Sequence, residues 1–183
     1  IPLNIRNTNE PDHPGTLITE SFVEAPNPER FVTGIAGKCD FSIVTVSKKG
    51  LSGAVGTLRA ILEVFENNSI PVAHTPSGID CISLAMPTEA LTPNQYSLLD
   101  ELRSEIRPDS IQINDHIAVI AVVGRKMAFR VGTSGKIFAA LGKAGINIRM
   151  ISQGPDEQAI ILGVDNKDYA DAIRVLYNNA FVK

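Results

Sequence analysis

No apolar stretch in this 183-residue chain approaches the roughly 20 residues a bilayer span needs. No basic-then-apolar leader opens it either, so the expected location is the cytoplasm. Lysine and arginine are not in excess: the net charge is -3, which argues against a nucleic-acid partner or an anionic membrane surface. Cysteine is scarce. Cys39 and Cys81 lack metal-type spacing and have no nearby Cys or His, so both read as reduced thiols without a role in chemistry. Also missing are a clustered carboxylate pair, a catalytic Cys with its His, and a metal-ligand set. What remains is an ordinary globular composition, 44% hydrophobic and 20% charged, whose partner should be a small molecule or a protein.

The chain repeats itself. "NNSIPVAHTPSG" and, later, "AGINIRMISQG" each follow a helix-like run, pass through Asn or Gly, and continue as a short extended segment closing on Gly. In the first pass "FSIVTVSK" (41–48) alternates like a strand and 48–56 is a Gly-rich break. Leu58, Ile61, Leu62 and Phe65 then form a helical stripe. "IPVAHTP" and "DCISLAMP" predict a hairpin around "SGID", with Gly78 at positive φ. A second helix should start with Thr92 as N-cap, Pro93 in the first turn and Gln95 closing a capping box, burying Leu99, Leu102 and Ile106. "SIQI" ends this strand–helix–strand–strand–helix–strand unit.

The second pass begins at His116 with the continuous strand "HIAVIAVVG" and the break "RKMAFRVGTSG". A helix along Ile137, Ala140, Leu141 and Ala144 follows, then the strands "INIRMISQG" and "QAIILGVD". The last helix runs along Tyr169, Ala172, Ile173 and Leu176, with Asn166 as cap and Asp168 at its positive dipole end. This unit stops one strand short, which would leave backbone donors uncovered. The strand-like stretch "RFVTGIAG" (30–37) is unassigned and would complete it, so that the first unit is inserted within the second.

Two tandem βαββαβ units with Gly-rich breaks resemble the ACT domain, a small ferredoxin-like fold that binds amino acids as an allosteric sensor. "INIRMISQG" followed by acidic residues is similar to the second ACT unit of aspartate kinases, and "HTPSGID" to the hairpin of their first unit. "IPLNIRNTNEPDHPGTLI" resembles the junction with their kinase domain, and the opening Ile suggests a chain cut from something longer. The resemblance implies an α+β fold of two ferredoxin-like ACT units. Residues 1–29 would be a linker from an absent kinase domain, 40–115 the first unit, and 30–38 with 116–183 the second. No Lys-Phe-Gly-Gly-type nucleotide segment occurs. The chain is therefore expected to be a C-terminal regulatory region, as a fragment or a separate subunit, inactive alone, with no cofactor of its own and with ATP and Mg handled by the absent kinase domain.

An amino-acid effector brings a carboxylate, an ammonium and a side chain, and a Gly-rich loop entering a helix offers free amides for the carboxylate. That loop is 49–56 in the first unit. By resemblance the effector-binding residues are Leu51, Ala54, Gly56, Thr57 and Leu58, with Val72, Ala73, His74, Thr75, Ser77, Gly78 and Asp80 from the strand and turn. Some lysine-responsive relatives carry an acid where this chain has Ala73, so Asp80 or a carboxylate from a partner chain would take the ammonium. In the second unit the loop is Met127–Gly135 and the strand positions are Asn147, Ile148, Ser152 and Gln153. His74 reads as an interface residue rather than a pH sensor. "GTSGK" (132–136) is not a phosphate loop, since Arg130 and Ile137 stand where the motif requires Gly and Ser or Thr.

The implied function is feedback inhibition, by lysine first and threonine next, of ATP-dependent aspartate phosphorylation in lysine, threonine and methionine biosynthesis. The implied partners are that amino acid, a kinase domain and a second copy, the ACT units pairing as a homodimer. Two rivals are an enzyme with its own active site and a purely structural ACT dimerisation module without ligand.

Overall fold

The computed structural model describes residues 2–18, 32–124, 127–155 and 158–181. Arg30 and Phe31 of the completing strand, Arg125 and Lys126 of the second break, most of the segment joining the linker to the first strand, and the acidic pair Asp156 and Glu157 lie outside them. The chain divides into two compact units, 1–30 and 31–183. The smaller is a hairpin of β1 (Leu3–Ile5) and β2 (Thr16–Ile18), with Leu3 opposite Ile18 and Ile5 opposite Thr16.

The larger unit is built on one five-stranded antiparallel sheet in the order β4-β3-β5-β7-β6. Its elements are β3 (Val32–Ser47), α1 (Thr57–Asn67), β4 (Cys81–Pro87), α2 (Thr88–Leu91), α3 (Gln95–Glu101), β5 (Ser110–Gly124), α4 (Thr133–Lys143), β6 (Ile148–Ser152), β7 (Ala159–Asp165) and α5 (Tyr169–Phe181). Sequence reading separates the stretches 30–37 and 41–48, and likewise "SIQI" and "HIAVIAVVG"; each pair is one long strand. Midway along, each strand shifts register at a non-glycine residue with positive φ, Asp40 (64°) in β3 and His116 (59°) in β5; a further shift lies between Val32 and Gly34. The early half of β3 pairs with the late half of β5 (Ile35 with Val122), and the late half with the early (Val44 with Ile113). The strand missing from the second repeat is thus the first half of β3.

One constant offset relates Asp40 to His116, Gly56 to Gly132, Ile61 to Ile137 and Ser69 to Gly145. β4 and β7 share the same alternation of buried and half-buried positions. Residues two apart on a strand share a face, so Val44, Val46 and Leu84 build one core with Ile61, Phe65, Leu98 and Leu102. Ala118, Ile120, Val122 and Leu162 build the second with Ile137, Leu141, Ala172 and Leu176. On the opposite face Phe41, Ile43 and Ala85 meet Ile117, Val119 and Met150 in a third cluster that joins the two halves.

Several local expectations fail for identifiable reasons. Residues 71–77 make only isolated bridges, His74 to Ala85 and Ser77 to Ile82, because Pro71 and Pro76 have no amide to give a ladder. Gly78 does not take positive φ; there a Cβ would lie 2.8 Å from Cys81 Sγ, so contact, not torsion, favours glycine. The second helix begins a turn early at Thr88, and the Thr92 hydroxyl donates to the Thr88 carbonyl instead of capping. Leu98, not Leu99, is the fully buried position. Asn166 caps nothing, since its amide bonds Asp40 (Nδ2 to Oδ1 2.7 Å; Asp40 N to Oδ1 3.2 Å) and holds the β3 kink. Ala144 is exposed beyond the end of α4. In α1 the buried stripe is Ile61, Val64 and Phe65, while Leu58 and Leu62 stay 49% and 37% exposed.

Ser69 (φ 55°) and Gly145 (φ 73°) occupy equivalent left-handed turns after α1 and α4. A left-handed non-glycine residue costs about 1 kcal/mol. Ser69→Gly is expected to stabilise by about 1 kcal/mol and Gly145→Ala to destabilise by about as much, as read from urea midpoints.

Candidate effector site

The two repeats present two loop-to-helix junctions of the same design. Short 3₁₀ turns at Leu51–Gly53 and Met127–Phe129 are pinned by the buried Leu51 and Met127. Gly56 (φ 86°) and Gly132 (φ 84°) then turn the chain into α1 and α4. Nothing lies within 4 Å of a Cβ built on either glycine, so the backbone torsion alone demands them.

Much of the first loop is tied to the protein itself. The amides of Lys49 and Gly50 donate to Asp109 Oδ2 and Asp80 Oδ1, each at 2.7 Å. Leu51, Ser52, Gly53, Ala54 and Thr57 donate to the carbonyls of Lys48, Ile79, Gly50, Leu51 and Ala54. The Lys48 ammonium caps the Ile106 carbonyl at the end of the π-helical turn Leu102–Ile106 that continues α3. The amides of Val55, Gly56, Leu58 and Arg59 have no acceptor among the described residues. The amides left without an acceptor are thus confined to the N-terminal end of α1 and the two residues before it, where the helix dipole is most favourable to a negative charge.

Of the strand and turn residues, Val72 packs half-buried against the first core, and His74 is held by Ala85, whose amide donates to its carbonyl at 2.9 Å. Ala73, Thr75, Ser77 and Gly78 are exposed. Asp80 is the one that reaches the loop; its Oδ2 has no hydrogen bond among the described residues. A ≈ 290 Å³ cleft at the start of α1 is lined by Lys48, Gly56, Thr57, Arg59 and Glu105, but not by residues 72–78. Within one chain, therefore, the loop and strand sets do not line a common cavity. Around them stand Val55, Leu58, Leu62 and Ile79, all exposed and apolar.

The second unit differs. A ≈ 520 Å³ cleft brings Arg130, Gly132, Thr133 and Gly135 together with Gln153 and Pro155. Ser134 Oγ donates to Gln153 Oε1 at 3.4 Å, and the buried Thr133 hydroxyl donates to the Arg130 carbonyl. Ser152 pairs with Ile161 and Ile148 with Val164 in the sheet, and Asn147 is exposed; none of these three lines the cleft. Arg59, Glu105 and Pro155 escaped the sequence reading, because they carry no motif and are brought in only by the fold.

Cys39 and Cys81 are half-buried thiols. Burial, then the adjacent Asp40 carboxylate, raises the Cys39 thiol above its ordinary value, leaving less reactive thiolate. Among the described residues no three His, Cys, Asp or Glu are grouped to hold a metal, and no helix is long and apolar enough to cross a membrane.

Residues 120–180 match the ACT domain family. Aspartokinase 3 of Bacillus subtilis is 30% identical over 182 residues, which are 99% of this chain and 39% of that protein. The crystal structure of Clostridium acetobutylicum aspartate kinase superposes with a TM-score of 0.88 at 39% identity, covering 98% of this chain and 41% of that one. The regulatory subunit of aspartate kinase from Thermus flavus shares the fold, with a TM-score of 0.70 at 19% identity over 81% of this chain and 98% of its own. The chain spans about two fifths of the length of the Bacillus and Clostridium relatives. Residues 120–180 thus match an ACT domain, and the chain along nearly its whole length is similar to part of an aspartokinase.

Proposed function

We propose that this chain is the amino-acid-sensing regulatory region of a cytoplasmic aspartate kinase, with lysine as the favoured effector and threonine next. The observation that carries the reading is the row of unpartnered amides at the start of α1, flanked by the exposed Val55 and Leu58. The amides receive the effector carboxylate at the helix N-terminus, and the open Oδ2 of Asp80 or a carboxylate of a second copy takes the ammonium. Residues 72–78 do not face this turn within their own chain, so the site closes only when a second copy presents its edge segment. The exposed flank of Val55, Leu58 and Leu62 gives that pairing its apolar area.

Effector binding then favours one relative placement of two copies and reaches the kinase domain through residues 1–29. A coupling of about 1 to 3 kcal/mol is enough for strong feedback inhibition. ATP and magnesium belong to that domain, and the chain alone transfers no phosphate. Among solved relatives of the same fold, Escherichia coli aspartokinase III was crystallised with lysine and aspartate in a T-state.

Calorimetry on the chain should show saturable lysine binding; heat with neither lysine nor threonine would remove the proposal. Thr57→Asp places a fixed carboxylate at the same helix end. It should hold or raise stability by about 0.3–1 kcal/mol while weakening lysine by at least about tenfold. Sedimentation should find a dimer at micromolar concentration and a folded monomer for Leu62→Glu, because Leu62 stands outside the core.

A further inference from the structure

The third apolar cluster, where the helix-free faces of the two halves meet, borders a cavity of ≈ 260 Å³ that neither loop-to-helix junction uses. Its floor is apolar and comes from both repeats: Ile43 of β3, Ile117 of β5 and Met150 of β6, all buried. Its rim is polar. Thr45 Oγ1 and Ser83 Oγ lie 2.8 Å apart; two hydroxyls that share one hydrogen bond keep one O–H to donate elsewhere.

Arg149 completes the rim. It sits where β6 shifts register against β7 between Ile148 and Met150, and such irregularities re-aim side chains. Its guanidinium donates to Asp165 Oδ1 and Asn114 Oδ1, both at 3.4 Å. Those contacts are at the long end of hydrogen bonding and occupy two of its five N–H groups. No acid is among the residues lining the cavity.

A cation and a free hydroxyl above an apolar floor, with no acid in the wall, select for a carboxylate and against an ammonium. The volume lies just below the roughly 300–1,000 Å³ of drug-sized pockets, which limits the tail to a few carbons. We propose that this cavity is a second ligand site, separate from the effector site, for a short apolar monocarboxylate without an amino group. Arg149 and the Thr45–Ser83 pair hold the carboxylate, and Ile43, Ile117 and Met150 hold the tail. Because its walls come from both repeats, occupancy also braces one half of the sheet against the other.

The test compares 4-methylpentanoate with leucine, which differs from it only by the amino group, on the whole chain with Ile, Leu and Met methyls labelled for NMR. The expected result is saturable shifts at Ile43, Ile117 and Met150 with the plain acid, quiet methyls at Leu58 and Leu62, and leucine weaker by at least about tenfold. Arg149→Gln should weaken the plain acid by at least about tenfold. Ser83→Val, which leaves the Arg149–Asp165 pair intact, should weaken it too, so the outcome does not hang on Arg149→Gln folding. The proposal is overturned if the three methyls stay still, if leucine binds as well as the plain acid, or if the shifts fall only on α1 and α4. Lysine binding at α1 leaves these three methyls unmoved, so either site can fail without the other.

Discussion

The pairing of β3 with β5 is the constraint on which the rest of this structure depends. Phe41 stands opposite Ile117, its own repeat counterpart, so the strands cross at the point where one half of the sheet becomes the other. Each strand serves one repeat with its first half and the other repeat with its second. The left-handed residues Asp40 and His116 allow the change of direction, and Asn166 holds the first of them. Neither half can therefore be removed without taking an edge strand from the other and leaving its ladder donors unmet.

The same near-symmetry places equivalent helix N-termini at α1 and α4, yet the two are not equally equipped. At α4 the following segment folds back and Gln153 joins the loop in one cleft. At α1, Pro71 and Pro76 keep the corresponding segment out of a continuous strand, and Ile79 and Asp80 alone of residues 71–80 hydrogen-bond the loop 49–56. The first junction is left incomplete within its own chain and rimmed by exposed apolar side chains. The second junction, by contrast, gathers loop and strand residues of one chain around a single cleft.

Much of the fold was legible because the hydrophobic period and the repeat constrain each other: the position of α1, α4 and α5 and the pairing of a stretch before residue 40 with the second repeat follow from pattern, although four expected strands merge into β3 and β5 and the helix expected from Thr92 is preceded by α2. The failures lie where a local signal met a tertiary rival. Thr92, Pro93 and Gln95 form a sound starting signal, but the helix had already begun at Thr88 directly after β4. Of the helical stripe expected in α1, Ile61 and Phe65 are buried, but Leu58 and Leu62 stay exposed and Val64 completes the buried face, because the helix carries a second apolar face beside the first. Asn166 has the chemistry of a cap and is used instead across the sheet, a partnership set by residues far away in sequence. Sequence reading located the two loop-to-helix junctions; it could not tell which of their amides the protein keeps for itself, since Asp80 and Asp109 take up theirs from distant positions.

The most direct test of the account is a crystal structure of the chain soaked with lysine. The account predicts a dimer with lysine between the copies, its carboxylate on the amides of Gly56, Leu58 and Arg59. Ordered lysine bound elsewhere, or a dimer whose partner already fills that turn with its own side chains, would contradict it.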